Sequence, residues 1–266
     1  MECCTRPAME RHGYYMQASV NIMDIDVDML TKDTFINKIN EYLADDHLYV
    51  IFFASAESLD RAVKDSEYHN VIDKADLFLP GEEALLAAHH VDILEAGGMV
   101  VSCKSFGDVL GNLEEQGRTI YIMAESEQEI FVLKNYCKRM QPGLKVTGSC
   151  VYSIGIEDEA VINDINNCLP DMLLVNLQPC FQERWIIEHV PQLNLKLCIA
   201  IGGVAGLILA EEKVMPSWVR KLHLTWFFEK IVWQQTVKKG FRARIFRKKI
   251  VQYNNQNEES KEDNGS

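Results

Sequence analysis

The sequence lacks several features that would assign the protein to a common class. Its eight cysteines include no C-x-x-C pair, so neither a zinc site nor a redox dithiol is indicated. The first residues contain no apolar core of a signal peptide. The longest uncharged run, 197–210, has about fourteen residues and is too short to span a bilayer. No G-x-G-x-x-G follows a strand pattern, which disfavours a dinucleotide-dependent oxidoreductase. The pattern is typical of a cytosolic protein with reduced cysteines.

Acidic residues are nearly absent from one segment, although the whole chain has a formal net charge of −12. Residues 213–250 contain eleven lysines and arginines against the single acidic Glu229, so the segment carries +10 and the remainder −22. An acidic body argues against nucleic-acid binding by the protein as a whole. The basic segment, which is also rich in aromatic residues, predicts a local anionic partner.

The rest of the chain alternates between short apolar runs and amphipathic stretches. One strand is predicted over 20–27, one helix over 57–69, and strands alternating with helices of ten to fourteen residues from 118 to 201. Such alternation predicts an α/β fold, a Rossmann-like and mostly parallel sheet flanked by helices. We expect a flexible leader at residues 1–18 and the α/β domain at residues 19–212. A basic aromatic helical appendage should follow at 213–252, and a disordered tail at 253–266.

The stretch 170–189 organises this prediction. Residues 172–177 form an uncharged apolar run, as expected of a strand covered on both faces. A helical pattern begins at Cys180, so Gln182 and Glu183 fall in its first turn, beside the carboxyl end of the strand. In open α/β sheets ligands bind at that edge.

Several fragments, in this order, resemble the WecG/TagA/CpsF family of glycosyltransferases. They are V-N-I-M-D-I-D-V, A-D-L-F-L-P-G-E-E-A-L-L, P-G-L-K-V-T-G, P-D-M-L-L-V-N-L-Q-P-C-F-Q-E-R-W, A-I-G-G-V and P-S-W-V-R-K-L-H-L-T-W-F-F. The resemblance covers roughly residues 20–245. Each fragment is short, but their shared order is specific to the family.

The resemblance implies transfer of an N-acetylhexosamine, typically N-acetylmannosamine, in cell-wall or surface polysaccharide synthesis. The donor would be a UDP-sugar, and the acceptor a polyprenyl-diphosphate-linked sugar at the inner membrane face. The family needs neither a metal nor another cofactor. A peripheral location at that face suits the segment 213–250, whose aromatic and basic side chains match an anionic membrane surface or a diphosphate.

The sequence departs from the family at several positions. The family's T-x-N is Phe53-Ala54-Ser55 here, and its P-D-G, which carries the general base, is Pro80-Gly81-Glu82. Two glycines are replaced by Ala124-Glu125, which narrows a loop meant to approach a phosphate and adds negative charge. The family's F-D is Ala205-Gly206.

The resemblance nevertheless assigns candidate site residues. Glu82 or Glu83 would replace the aspartate as the general base, although acids are also common at a helix start. The candidates for substrate binding are Ser55, Lys104, Asp108, Gln182, Glu183, Trp185 and Arg220. Trp185 could instead be a core residue, and Asp108 could instead belong to a turn or cap a helix.

Two functions therefore stay open. In the first, the chain is a glycosyltransferase whose base has moved to Glu82 or Glu83. In the second, it is a catalytically degenerate member that keeps the fold and serves as a non-catalytic partner of an active enzyme. Homo-oligomers and hetero-oligomers are both compatible with the sequence.

Overall fold

A computed structural model describes residues 18–81, 103–153 and 155–202, together with Ile208, Lys248 and Tyr253. This part of the chain contains seven α-helices and eight strands. In order they are β1 (Ala18–Ile22), β2 (Ile25–Met29), α1 (Lys32–Ala44), β3 (Tyr49–Ala54), α2 (Ala56–Lys64), α3 (Ser66–Ile72), β4 (Leu77–Pro80), α4 (Cys103–Glu115), β5 (Thr119–Ala124), α5 (Glu127–Met140), β6 (Lys145–Val151), α6 (Asp158–Cys168), β7 (Met172–Asn176), α7 (Phe181–His189), a 3₁₀ turn (Val190–Gln192) and β8 (Leu197–Ala200).

Six strands form one sheet in the order β4-β3-β8-β7-β5-β6, and every neighbouring pair in it is parallel. The predicted α/β class with a mostly parallel sheet is thereby confirmed. The sheet is covered on both faces, which explains why β7 and β8 consist of buried residues throughout.

The two faces of the sheet carry separate apolar cores. On one face α1, α4 and α5 contribute residues such as Phe35, Leu110 and Leu133. On the other face α2, α3, α6 and α7 contribute residues such as Leu59, Tyr68 and Trp185. Helices on both faces follow from right-handed crossovers that run in both directions from the middle of the sheet.

The prediction of a single strand over 20–27 was wrong. Strands β1 and β2 pair antiparallel, with Ile22 opposite Ile25. Between them Met23 and Asp24 have φ angles of 55° and 62°, a left-handed pair that reverses the chain in two residues. Such turns usually contain Asn-Gly or Asp-Gly, so Met-Asp gave no signal.

The prediction of one helix over 57–69 was also wrong, because α2 and α3 are separate. Asp65 has extended backbone angles, and its side chain accepts hydrogen bonds from the N–H groups of Glu67 and Tyr68. The residue thus ends one helix and caps the next. A side-chain oxygen that binds the backbone in this way competes with helix continuation.

Most of the predicted appendage lies outside the described residues, as does the predicted leader 1–18 apart from Ala18, which begins β1. Tyr253, placed by the sequence in a disordered tail, packs against the second of the two apolar cores, and its hydroxyl group donates a hydrogen bond to Asp24.

Candidate functional site

The carboxyl edge of the sheet has one point at which the connections diverge. From β5 the chain runs through α5 to β6 at one end of the sheet, whereas from β7 it runs through α7 to β8 in the opposite direction. The strands β5 and β7 are neighbours, with Ala124 paired to Asn176. In open α/β sheets such a switch point forms the crevice that receives ligands.

The turn that leads from β7 into α7 is tight. Cys180 has a φ of 68°, a left-handed conformation that is unusual for a residue other than glycine. The carbonyl group of Gln178 accepts hydrogen bonds from the N–H groups of Phe181 and Gln182. This geometry directs the first turn of α7 towards the end of β8.

Gln182 links α7 to the residues that follow β8. Its Oε1 atom accepts a hydrogen bond of 3.0 Å from the backbone N–H of Gly202, and its Nε2 atom donates one of 3.0 Å to Glu183 Oε1. Gln182 is only 4% exposed. The amide group predicted to bind substrate therefore also holds the loop after β8 in place.

Glycine is required at position 202 for steric reasons. A Cβ atom there would lie 2.5 Å from the carbonyl oxygen of Leu177 and 2.8 Å from both polar atoms of the Gln182 amide. Contacts below 3.0 Å force neighbouring atoms to shift, and the nearest one here belongs to the backbone. The glycine thus permits close approach of the loops after β7 and β8.

Glu183 lies inside the protein. Glu183 is 1% exposed, and its Oε2 atom has no hydrogen-bond partner within the described part of the chain. Burial raises the pKa of this carboxyl group above its ordinary value. Burial, and then the nearby Glu183 carboxylate, likewise raise the pKa of the Tyr68 hydroxyl group on α3. Glu183 thus faces the packing between α7 and α3.

Trp185 is a core residue with one polar contact. It is 2% exposed, and its indole N–H donates a hydrogen bond of 2.7 Å to Asp158 Oδ1. The same oxygen accepts one of 2.8 Å from the hydroxyl group of Tyr152, whose ring contacts the indole edge to face. The aspartate therefore joins α6 to α7, as expected of a buried indole that finds a partner.

Ser55 caps α2 directly after the end of β3. Its hydroxyl oxygen accepts from the N–H of Ser58, and the Ser58 hydroxyl group lies 2.8 Å from the Ser55 backbone N–H, which completes a capping box. The N–H of Gly81 donates to the carbonyl group of Ala54 over 2.8 Å, so the ends of β3 and β4 touch. Residue 82 follows directly, although Glu82 and Glu83 lie outside the described residues.

The remaining predicted site residues are not brought into this group by a described contact. Asp108 lies within α4 and forms an ion pair of 2.9 Å with Lys32 at the start of α1. Lys104 belongs to the first turn of α4, but its side chain is outside the described part, as is Arg220.

The structure also reveals residues that the sequence did not propose as a site. Glu125, directly after β5, accepts a hydrogen bond of 3.0 Å from the N–H of Gln178 and donates its own N–H to Glu129 Oε2 over 3.1 Å. Burial, and then the neighbouring Glu125, raise the pKa of Glu129. The only sequence signal was the replacement of glycine at this loop.

A cavity of about 670 Å³ lies beside α2 and the start of α7, and none of its lining residues is a predicted site residue. Its walls carry charges of both signs that pair with one another, as in Lys64 with Asp60 and Arg61 with Asp65. The lining residues are Glu57, Asp60, Arg61, Lys64, Asp65, Ser66 and Cys180.

Comparisons with known proteins agree with the resemblance. Residues 20–232 match the sequence profile described as the glycosyl transferase WecG/TagA/CpsF family. An N-acetylglucosaminyldiphosphoundecaprenol N-acetyl-beta-D-mannosaminyltransferase of Bacillus subtilis (strain 168) is 23% identical over 202 residues, which are 75% of this chain and 78% of the relative. A protein of the same name from Staphylococcus aureus (strain MRSA252) is 20% identical over 217 residues, 81% and 85% of the two chains.

A helix that crosses a bilayer has to be both long and apolar. Within the described ranges, none of the helices combines the length and the apolar character that such a crossing requires.

Proposed function

Because the chain belongs to the WecG/TagA/CpsF family of glycosyltransferases, we propose that it transfers an N-acetylhexosamine, N-acetylmannosamine in the first instance, from a UDP-sugar to a polyprenyl-diphosphate-linked acceptor. The observation that carries the proposal is the similarity, over three quarters of this chain or more, to two mannosaminyltransferases that are named for such a lipid-linked acceptor. The family match includes the strand-helix unit of β7 and α7.

The reaction needs a base for the acceptor hydroxyl group, and Glu82 or Glu83 takes this role in the proposal. A base has to come within about 2.6–3.2 Å of the proton that it removes. Residue 82 follows Gly81, whose N–H is bonded to the end of β3 next to Ser55. The position of Gly81 at the carboxyl edge of the sheet supports this assignment.

The other candidate residues divide into two groups. Gln182 has its amide at the edge and holds the loop of Gly202, so we assign it to shaping the donor pocket. Lys104 and Arg220 are cations, which suits them to bind a diphosphate. Ser55 and Asp108 are polar residues that we assign to hydroxyl groups or a phosphate of the substrate. Because Glu183 and Trp185 are buried, in the proposal they act on the substrate through the position of α7.

The proposal also assigns a location and a membrane contact. Segment 213–250, with its net charge of +10, would bind the anionic inner face of the cell membrane, where the lipid-linked acceptor lies. The protein would then be a peripheral cytoplasmic protein.

A second candidate function is a non-catalytic partner subunit that retains the family fold. The specific observation in its favour is the Glu125 side chain, which lies across the switch point and accepts from Gln178. This function predicts a folded protein without turnover that binds an active family member.

A transfer assay distinguishes the two functions. The full chain is incubated with membranes that contain a diphospholipid-linked N-acetylglucosamine acceptor, and with UDP-N-acetylmannosamine or UDP-N-acetylglucosamine in parallel. We expect turnover with at least one donor, and a loss of about a hundredfold or more on Glu82→Gln or Glu83→Gln. Turnover that neither variant reduces would refute the base assignment. A folded protein that transfers neither sugar would favour the partner subunit.

A further inference from the structure

A side chain of the protein bridges the crevice between the ends of β5 and β7. Glu125 Oε1 accepts the 3.0 Å hydrogen bond from the backbone N–H of Gln178. Glu125 follows β5, and Gln178 lies in the turn that enters α7, so one side chain joins the two loops at which the connections diverge. Ligands of open α/β sheets enter at this point. The carboxylate therefore connects the two loops between which such a ligand would enter.

The bridge also occupies hydrogen-bond donors that an anion would use. Backbone N–H groups at the starts of helices bind phosphate oxygens in many α/β proteins. At this crevice the N–H of Gln178 already donates to the Glu125 carboxylate, and the N–H of Glu125 donates to Glu129. The carboxyl groups of Glu125 and Glu129 thus occupy two backbone donors that a diphosphate could otherwise use.

The Glu125 side chain is free to move without disturbing the sheet. Glu125 is exposed, whereas the preceding Ala124 is buried and paired to Asn176 and Val151 on the two neighbouring strands. A rotation about the side-chain bonds of Glu125 would break the contact with Gln178 and leave β5 intact. Exposed rotamers interconvert within nanoseconds, so such an opening would not limit binding.

We propose that Glu125 is a gate that weakens the binding of a nucleotide diphosphate at this crevice and so sets the donor affinity. This inference rests on the proposed use of a UDP-sugar. The carboxylate must release the N–H of Gln178 before a phosphate oxygen can bind there, and it repels the diphosphate as long as it stays nearby. Removal of the carboxylate therefore strengthens the binding of UDP.

Calorimetric titration of the full chain with UDP and with uridine tests the gate. The variants are Glu125→Gly, which removes the side chain, and Glu125→Gln, which keeps its shape without the charge. Glu127→Gln is the matched control, since Glu127 is exposed and carries the same charge in the first turn of the helix that follows. We expect UDP to bind about tenfold more tightly to Glu125→Gly than to the natural protein. The gain in affinity should be smaller for Glu125→Gln, and the control should bind UDP as the natural protein does.

Uridine and salt isolate the part of the affinity that comes from the diphosphate. Uridine lacks the diphosphate, so its affinity should be equal in all four proteins, and the gain in UDP affinity should shrink at high salt because the charge is exposed. Equal UDP affinity in all proteins would overturn the gate and leave the donor proposal standing. A gain of the same size in Glu127→Gln would overturn it as a general charge effect. Absence of UDP binding from every folded variant would overturn both the gate and the UDP-sugar donor.

Discussion

Substitution of Gly202 by alanine tests the central contact of the site, the one between the loops after β7 and β8. The added Cβ atom would lie 2.5 Å from the carbonyl oxygen of Leu177 and 2.8 Å from the Nε2 and Oε1 atoms of Gln182. The side-chain amide can rotate away, but the carbonyl group is backbone. The methyl group therefore has to displace one of the two loops.

The expected loss of stability has two parts. Overpacking at a close contact costs about 1–3 kcal/mol, and loss of the bond between Gly202 and Gln182 adds about 1 kcal/mol. We expect Gly202→Ala to lower the free energy of unfolding by about 2–4 kcal/mol. In the double variant Gly202→Ala with Gln182→Ala, the clash with the amide is gone but that with Leu177 persists, so the two losses should be less than additive.

Urea unfolding followed by circular dichroism measures these differences. Gly107→Ala is the matched control, because a Cβ atom there meets the hydroxyl group of Tyr136 at 3.2 Å as its nearest neighbour and alanine favours the helix. The control should stay within about 1 kcal/mol of the natural chain. A Gly202→Ala protein as stable as the natural one would refute the close approach of the two loops and the role assigned to Gln182.

Two further predictions concern α7. Asp158→Ala removes the acceptor of the buried Trp185 indole N–H, so it should lower the free energy of unfolding by about 1–3 kcal/mol. Glu159 is an acid in the same turn, and Glu159→Ala should leave the stability unchanged. Equal losses in the two variants would contradict the contact between Asp158 and Trp185. Because burial raises the pKa of Glu183 in the folded state, the folded chain keeps this proton to a higher pH than the unfolded chain, and stability falls as the pH rises above the ordinary value of 4.5. The stability of Glu183→Gln relative to the natural protein should therefore increase from about pH 5 to about pH 8 in urea unfolding, and a flat difference would contradict the burial.

The sheet was predictable because its signal is local. Uncharged runs such as 172–177 are long enough to identify buried strands, and alternation with helices indicates parallel pairing. The errors occurred where a short contact overrides the pattern. The turn at Met23-Asp24 adopts left-handed angles without glycine, and Asp65 replaces a helical hydrogen bond with its own side chain.

The contacts of the site depend on strand order, which local patterns do not contain. Gln182 reaches Gly202 because β7 and β8 are neighbours, and Glu125 reaches Gln178 because β5 and β7 are neighbours. The sequence indicated that Gln182 stands at a strand end and that Glu125 adds charge to a loop. It could not indicate which loops meet, because the crossover from β4 to β5 passes over three strands.

Mass spectrometry of the lipid acceptor tests the transferase account most directly. Purified full-length protein is incubated with a diphospholipid-linked N-acetylglucosamine acceptor in vesicles and with UDP-N-acetylmannosamine. The account predicts that the acceptor gains one N-acetylhexosamine and that free UDP appears in equal amount. An unchanged acceptor, in the presence of folded protein and of a relative that modifies the same vesicles, would contradict it.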